Sequence, residues 1–498
     1  MIPKIEDSSK LNISLLIKQI LSYVPGTLIP MLLLLLSTYI FTRVFSSTQY
    51  GQYALWLSIC TLLTAVSSQW LQQSITRYLS VEQDNNQIKE LKTTIFFSFI
   101  LIFLLILLST IFYYLFFDRN NQINNAIFDV IALFILLGSL YNSLGVILQA
   151  EMKVKEYSRV RVLDGILKFI CSLIIVLFIW KHPLSILIGS IISYTFLIPL
   201  LWKMTNIPSI RELFNYRQKI FQILRMFFIY GMPMVGWFLC SILLNFSDRY
   251  IISFYRDASE VGIYSASYSL ISGAVSVVTT PILFAAHPFM MKAWEQKDDL
   301  RTGKWIEIIM QLFILLGVLL VGLVALFSKE IAHLFLGEEF RDGATIMPIV
   351  LAGLILWQMS MYSHKPFEFT NKTTFMLKVS ILTVVINCIL NFILVPFGGY
   401  KIAAITTFIS YLFYYLYTSF KGKNIIEWKF NLKEISHPLI FLVLCFLVLG
   451  TIKFYLAQVF LTRLSLIVTA IGSATAVFIF LLLFKRNILP TLKNNNFK

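Results

Sequence analysis

Charged and amide side chains set inside long apolar runs are the residues of this sequence that could do chemistry. Lys168 interrupts one such run, and Asp164 precedes it by four residues, so on a helix the two share a face. Asp248 and Arg249 end a second run, and Arg43 ends the first in the chain. Gln69, Gln72, Gln73 and Arg77 stripe the end of a third, and Asn387 and Asn391 lie four apart in a fourth. Such groups are costly in an apolar medium, which makes each a candidate for binding or for pairing. Fixed cations and amides can take the place of water around a polar or anionic cargo.

Each of these has a plainer reading beside the functional one. Lys168 either faces a cavity, held by Asp164, or snorkels to the membrane surface with a local ion pair. Arg43, Asp248 and Arg249 either form an outer gate or cap helix ends. The glutamine stripe with Arg77 lines a polar path or is a solvated helix end. Asn387 and Asn391 fit hydrogen bonding between helices. His287, between Pro281 and Pro288, and His364 either carry a coupling proton or are satisfied structural histidines.

Bond-breaking chemistry finds no support. No phosphate-binding glycine loop, metal cluster or nucleophile constellation stands out, so neither catalytic residues, a metal nor a cofactor is expected. Cys60, Cys171, Cys240, Cys388 and Cys445 each lie in an apolar run without a C-x-x-C pair, as small fillers do.

The elements that must position these residues are membrane spans. Of 498 residues, 58% are hydrophobic and 13% charged, with mean hydropathy +0.79. A soluble exterior needs more charge than this. Uncharged runs predict spans at 17–43, 52–77, 93–117, 128–150, 162–181, 183–203, 224–248, 262–290, 305–328, 343–364, 374–397, 400–420, 435–457 and 463–484. Each is long enough to cross about 30 Å of hydrocarbon. The expected fold class is therefore an all-α polytopic membrane protein of about fourteen transmembrane helices.

The lysines and arginines alternate between the two sides. Thirty fall with the N-terminus, ten fall on the opposite side, and Lys168 lies within a span. The positive-inside rule then places both termini in the cytoplasm. The net charge of +16 faces anionic lipid, and no nucleic-acid partner is implied. External loops are short, and the first run is a retained span rather than a cleavable signal.

A weak repeat runs through the chain. Tyr23-Val24-Pro25 leads to Tyr50-Gly51-Gln52-Tyr53, and Tyr230-Gly231-Met232-Pro233 leads to Val261-Gly262-Ile263-Tyr264. The expected organisation is an N-terminal tail (1–14), a six-span lobe (15–205), a linker (206–223), a second six-span lobe (224–421), two further spans (422–485) and a C-terminal tail (486–498).

Four segments carry a family resemblance. They are Thr42 to Tyr53, then Asp248-Arg249-Tyr250-Ile251 followed by Glu260 to Ala266, then Phe335 to Phe340 running into Pro348, and finally Asn387, Asn391, Pro396, Gly398-Gly399-Tyr400 and Ala403-Ala404. In this order they resemble polysaccharide-biosynthesis flippases of the Wzx type, in the multidrug/oligosaccharidyl-lipid/polysaccharide (MOP) exporter superfamily. The resemblance implies two six-helix lobes around a central cavity, working by alternating access. It implies translocation of an undecaprenyl-pyrophosphate-linked oligosaccharide, for O-antigen lipopolysaccharide, capsule or a related polymer, across the bacterial cytoplasmic (inner) membrane. Lys168 would then meet the pyrophosphate, and Arg43, Asp248 and Arg249 would receive it or gate it. Membrane lipids are expected partners, with polysaccharide polymerase and chain-length proteins as pathway neighbours. A proton or sodium gradient is a candidate drive, with neither ion selected.

Three rivals remain. A lipid II flippase shares this chemistry with a different glycan. A cation-coupled drug exporter shares the fold, but its cavity would need buried carboxylates to hold cationic drugs. A polymerase or ligase would need a sizeable external loop.

Overall fold

The computed structural model describes residues 13–80, 82, 84–116, 122–208, 210–429, 432–458 and 462–487. Lys4 and Lys10 of the N-terminal tail, Arg119, and Lys493 and Lys498 of the C-terminal tail lie outside them. Every regular element among the described residues is helical. In chain order they are α1 (Ile13–Val44), α2 (Ser47–Ser74), α3 (Asn85–Phe116), α4 (Gln122–Ala150), α5 (Val154–Ile174), α6 (Leu184–Thr205), α7 (Ile210–Asn215) and α8 (Arg217–Tyr255). There follow α9 (Ala258–Glu295), α10 (Asp299–Phe335), α11 (Met347–Ser363), α12 (Lys365–Phe369), α13 (Thr373–Gly422), α14 (Leu432–Gln458) and α15 (Thr462–Asn487). One π-helical turn each extends α2 (Ile75–Leu79) and α5 (Ile175–Ile179), and a 3-10 segment (Glu338–Thr345) leads into α11.

By length and hydropathy, nine of the described helices suffice to cross a membrane, or eleven if each of two bent pairs is one span. This is a multi-pass membrane protein. The fourteen expected spans are not all reached by this measure. The 50-residue α13 counts once, and of α1 and α15 only the stretches Leu28–Val44 and Leu466–Ile479 enter this measure. Within α13 the helix breaks at Gly399 (φ 58°, ψ −142°), which falls between expected spans 11 and 12. Only glycine adopts that conformation without strain. Glu260 fills the space where a side chain would be, and its carboxylate accepts the Tyr400 backbone N–H at 3.0 Å. An anion at the start of a helical segment also complements the helix dipole.

The helices form two compact units. The first comprises Leu28–Ala266 and Thr373–Ala403. Helices in lipid gain little from apolar burial against one another, so close packing and hydrogen bonds must hold them. Small residues serve both ends here. Ser67 and Ser139 bond α2 to α4 at 2.7 Å, and Ser74 donates to the Phe227 carbonyl of α8 at 2.8 Å. Gly189 of α6 lies so near α5 that a Cβ would sit 2.1 Å from Ser172 Oγ.

The repeated G-x-Y segments meet in this unit. A Cβ on Gly51 would fall 1.8 Å from the Ala258 carbonyl oxygen, and one on Gly262 would fall 2.0 Å from that of Ser47. The two contacts are reciprocal, each glycine facing the residue four before the other. The N-caps match as well: Ser46 accepts from the Gln49 backbone N–H (3.3 Å) and Asp257 from that of Glu260 (2.8 Å). Beyond α6, Lys92 donates to the Thr205 carbonyl (2.6 Å) and Lys153 to that of Met204 (3.1 Å). Both pair with Glu151, at 2.5 and 2.7 Å. Cations there satisfy carbonyls that have no partner within the helix.

The second unit comprises Ser267–Lys372 and Ala404–Lys498, with the described part of the segment before Leu28. Leu315 and Leu319 of α10 pack with Leu442 of α14. Lys453, an unusual charge within an expected span, pairs with Glu330 of α10 at 2.7 Å and donates to the Leu326 carbonyl.

Candidate functional site

Three adjoining cavities open in the first unit. One of about 320 Å³ lies among α1, α2, α5 and α6 and is lined by Arg161, Asp164 and Lys168, with Ser37, Thr38, Tyr50, Tyr53, Ser172 and Ser190. A second, of about 360 Å³, shares Lys168 and Ser190 and adds Thr61, Thr64, Gln69, Gln72, Phe134, Asn142 and Tyr194. A third, of about 130 Å³, is lined by Gln72, Tyr141, Asn142, Tyr157 and Arg161.

Lys168 is the hinge of this constellation. Its Nζ donates to Asp164 Oδ2 at 2.8 Å and to the Tyr194 hydroxyl at 3.2 Å, and it sits 4.4 Å from the Tyr194 ring centroid. Helical spacing dictates the first contact, and the aromatic ring adds a cation–π attraction. Asp164 is buried, and its other oxygen accepts from Ser193 at 2.8 Å. Both oxygens of the one acid are thus occupied. Arg161 is exposed along its side chain, and no carboxylate lies within ion-pair distance of it among the described residues. The cluster therefore carries one uncompensated positive charge in an otherwise apolar body, which suits an anion.

Of the sequence candidates, the structure brings together Lys168, Asp164, Gln69 and Gln72. Gln73 and Arg77 do not line these cavities. Arg77 is exposed on the π-helical turn after α2, with its guanidinium 4.8 Å from the Tyr230 ring centroid. Arg161 and Asn142 were not among the candidates. Arg161 falls one residue before the expected span 162–181, although its spacing to Asp164 and Lys168 puts all three on one helix face. Asn142 was an amide within an apolar run.

Asp248 and Arg249 belong to a separate buried network. The apolar run continues past them, so they lie inside α8, which ends at Tyr255, and not at its end as the sequence suggested. Asp248 accepts from the Tyr264 hydroxyl at 2.6 Å and from Asn391 Nδ2 at 2.7 Å. Asn391 also donates to Asn387 at 3.2 Å, and Ser247 donates to the same Asn387 oxygen at 3.1 Å. Arg249 donates to Ser265 (2.9 Å) and to the Asn245 carbonyl (2.6 Å). Asn387 and Asn391 thus bond between helices, as the plainer reading had it. Arg43 is exposed at the end of α1, donating to the Tyr39 carbonyl at 2.8 Å and stacked 3.7 Å from that ring.

The two histidines lie in the second unit. His364 is buried, with Nδ1 3.3 Å from the Tyr414 hydroxyl. The buried Nδ1 of His287 has no hydrogen-bond partner. Between α10, α11, α13 and α14 of this unit runs a groove of about 950 Å³, walled by residues such as Ile314, Val321, Ile355, Leu412, Phe446 and Leu447. No group of three or more metal-capable side chains occurs among the described residues.

Residues 16–294, more than half of the chain, match the family described as polysaccharide biosynthesis protein. The chain belongs to that family. Residues 233–393 of this polysaccharide biosynthesis family member also match the family described as MatE. No curated protein matches the sequence. Among solved structures, the lipid II flippase MurJ in an inward closed conformation is similar at 18% identity and TM-score 0.66, over 93% of this chain and 98% of that one. An outward-facing multidrug resistance MATE transporter of the MOP superfamily is similar at 15% identity and TM-score 0.58, over 82% and 95%. A MOP superfamily transporter from Pyrococcus furiosus is similar at 14% identity and TM-score 0.57, over 84% and 99%. The protein has the fold of the MOP superfamily.

Proposed function

We propose that this protein is a flippase carrying an undecaprenyl-diphosphate-linked oligosaccharide from the cytoplasmic to the outer leaflet of the cytoplasmic membrane by alternating access. The observation that carries the reading is the cationic cavity of Arg161 and Lys168, in which Asp164 is already satisfied. A diphosphate crossing hydrocarbon loses its water, and charge-assisted hydrogen bonds from these two cations and the surrounding hydroxyls replace it. Family membership supports a role in polysaccharide synthesis. No bond is broken, so the protein acts as a transporter, drawing on a proton or sodium gradient if the step runs uphill.

The cavity's net positive charge speaks against a cationic drug as cargo. Lipid II is the nearer alternative, because it bears the same diphosphate. The test is leaflet exchange in proteoliposomes. Fluorescent undecaprenyl-diphosphate oligosaccharides and lipid II are reconstituted separately, and a membrane-impermeant quencher reports how much label it reaches over time. Protein-dependent exchange of the oligosaccharide lipid, slowed about tenfold or more in Asp164→Asn/Lys168→Met, is the expected result, one lost charge-assisted bond accounting for that factor. Faster exchange of lipid II would shift the assignment to that substrate. No exchange of either lipid, with cation-gradient-driven efflux of a cationic dye, would overturn it.

A further inference from the structure

The linker that follows α6 exposes side chains that water covers poorly. It lies outside the expected spans, yet Phe214 on α7 is 80% exposed and Phe221, near the start of α8, is 62% exposed. Their neighbours are cations. Arg211, Arg217, Lys219 and Arg225 fall within residues 210–225, and Glu212 is the only acid in that stretch. All four cations are exposed. Lys219 is answered by Glu90 of α3 at 2.5 Å. Arg211, Arg217 and Arg225 have no carboxylate within ion-pair distance among the described residues.

Helical spacing sets Arg217, Phe221 and Arg225 on one face of α8, each four residues from the next. Another side of the helix is anchored: Ile220 and Phe227 are buried, and Phe227 stacks on Tyr78 at 5.8 Å. Farther along α8 the exposed side continues as apolar Ile229 and Met232, the kind of surface a span gives to lipid. The stripe of arginine and phenylalanine therefore prolongs a lipid-facing surface beyond the hydrocarbon, where rings and guanidiniums meet headgroups. That continuity marks its occupant as lipid. The charge says which lipid. The first turn of α8 holds Arg217 and Lys219 and no acid, and positive charge there opposes the helix dipole. An external anion offsets that cost and answers the unmatched guanidiniums together.

We propose that α7 and the first turns of α8 form a binding surface for acidic phospholipid, in which Arg211, Arg217 and Arg225 bond lipid phosphates while Phe214 and Phe221 insert at the headgroup boundary. Arginine suits this role because its planar fork takes two phosphate oxygens at once. Zwitterionic lipid offers the phosphate without net charge and is held less tightly. The partner is the leaflet on the linker's own side of the membrane. This surface is separate from the cavities of α1, α2, α5 and α6 and stands whatever they carry.

The test is hydrogen exchange of the backbone amides of residues 210–225 in the full-length protein, held in nanodiscs of phosphatidylcholine alone or mixed with phosphatidylglycerol. The expected result is exchange about fivefold or more slower with phosphatidylglycerol, the worth of one arginine near an anionic surface. Added salt should shrink the difference. Arg211→Gln/Arg217→Gln/Arg225→Gln should abolish it and leave exchange in pure phosphatidylcholine within roughly twofold of wild type. Phe214→Ser/Phe221→Ser should speed exchange in both lipids. The proposal is overturned if wild type exchanges equally in the two lipids, if the difference survives the triple substitution or ignores salt, or if the phenylalanine variant matches wild type in both. It is also overturned if glycerol phosphate in solution over phosphatidylcholine discs reproduces the slowing, since the site would then be one for free phosphate.

Discussion

Lys168 and Asp164 show how one ion pair serves two masters. Held at 2.8 Å, with the lysine partly open to the cavities, the pair ties α5 together and leaves a cation on the wall of two cavities, where the proposed cargo would meet it. Removing one partner alone leaves a buried charge unmatched, which costs about 3 kcal/mol, less where the amine reaches a cavity. Lys168→Met should therefore lower the thermal midpoint measured on detergent-solubilised protein. Asp164→Asn/Lys168→Met should recover most of it without recovering transport. If the double variant transports as wild type does, the cation is structural only. The sequence showed Lys168, Asp164 and the glutamines because charge in an apolar run is conspicuous. It hid Arg161, whose position near a run's end made it resemble a loop charge, although the same helical face carries all three. It also misplaced Asp248 and Arg249: a hydropathy run stops at a charge, whereas the helix continues because Tyr264 and Asn391 supply the bonds the carboxylate needs.

At the scale of elements, close helix approach is set by glycine and serine. The reciprocal contact of Gly51 and Gly262 lets the starts of α2 and α9 touch backbone to backbone. Gly262→Ala would force the Ser47 carbonyl away, and such overpacking costs about 1–3 kcal/mol. Gly450→Ala meets only Leu326 at 3.6 Å, an ordinary contact. Thermal unfolding of the two variants should show a clear loss for the first and little change for the second. Equal midpoints would mean that the α2–α9 crossing has slack. The G-x-Y repeat was legible as a pattern, but its physical content, two helices sharing one close contact, needed the fold. The break at Gly399 could be read from Pro396-Phe397-Gly398-Gly399, because few other residue types tolerate that backbone. The partner that seats it, Glu260, lies far away in sequence.

For the whole molecule, hydropathy was the strongest signal, since a backbone in lipid must satisfy its own hydrogen bonds and helices do so. Span number was less secure, because a long bent helix and two short ones read alike. Which polar residues line a cavity could not follow from one sequence, since that depends on which faces of different helices meet. The family assignment and the cationic cavity both support the proposal of a polar anion carried through an apolar barrier. The most direct test of that claim compares binding of undecaprenyl diphosphate, undecaprenyl monophosphate and undecaprenol to wild type, to Arg161→Gln and to Asp164→Asn/Lys168→Met. Affinity should rise with phosphate number in wild type, and each substitution should flatten the rise by about tenfold, the worth of one charge-assisted bond. A rise that persists unchanged in both variants would contradict the claim that this cavity holds the diphosphate.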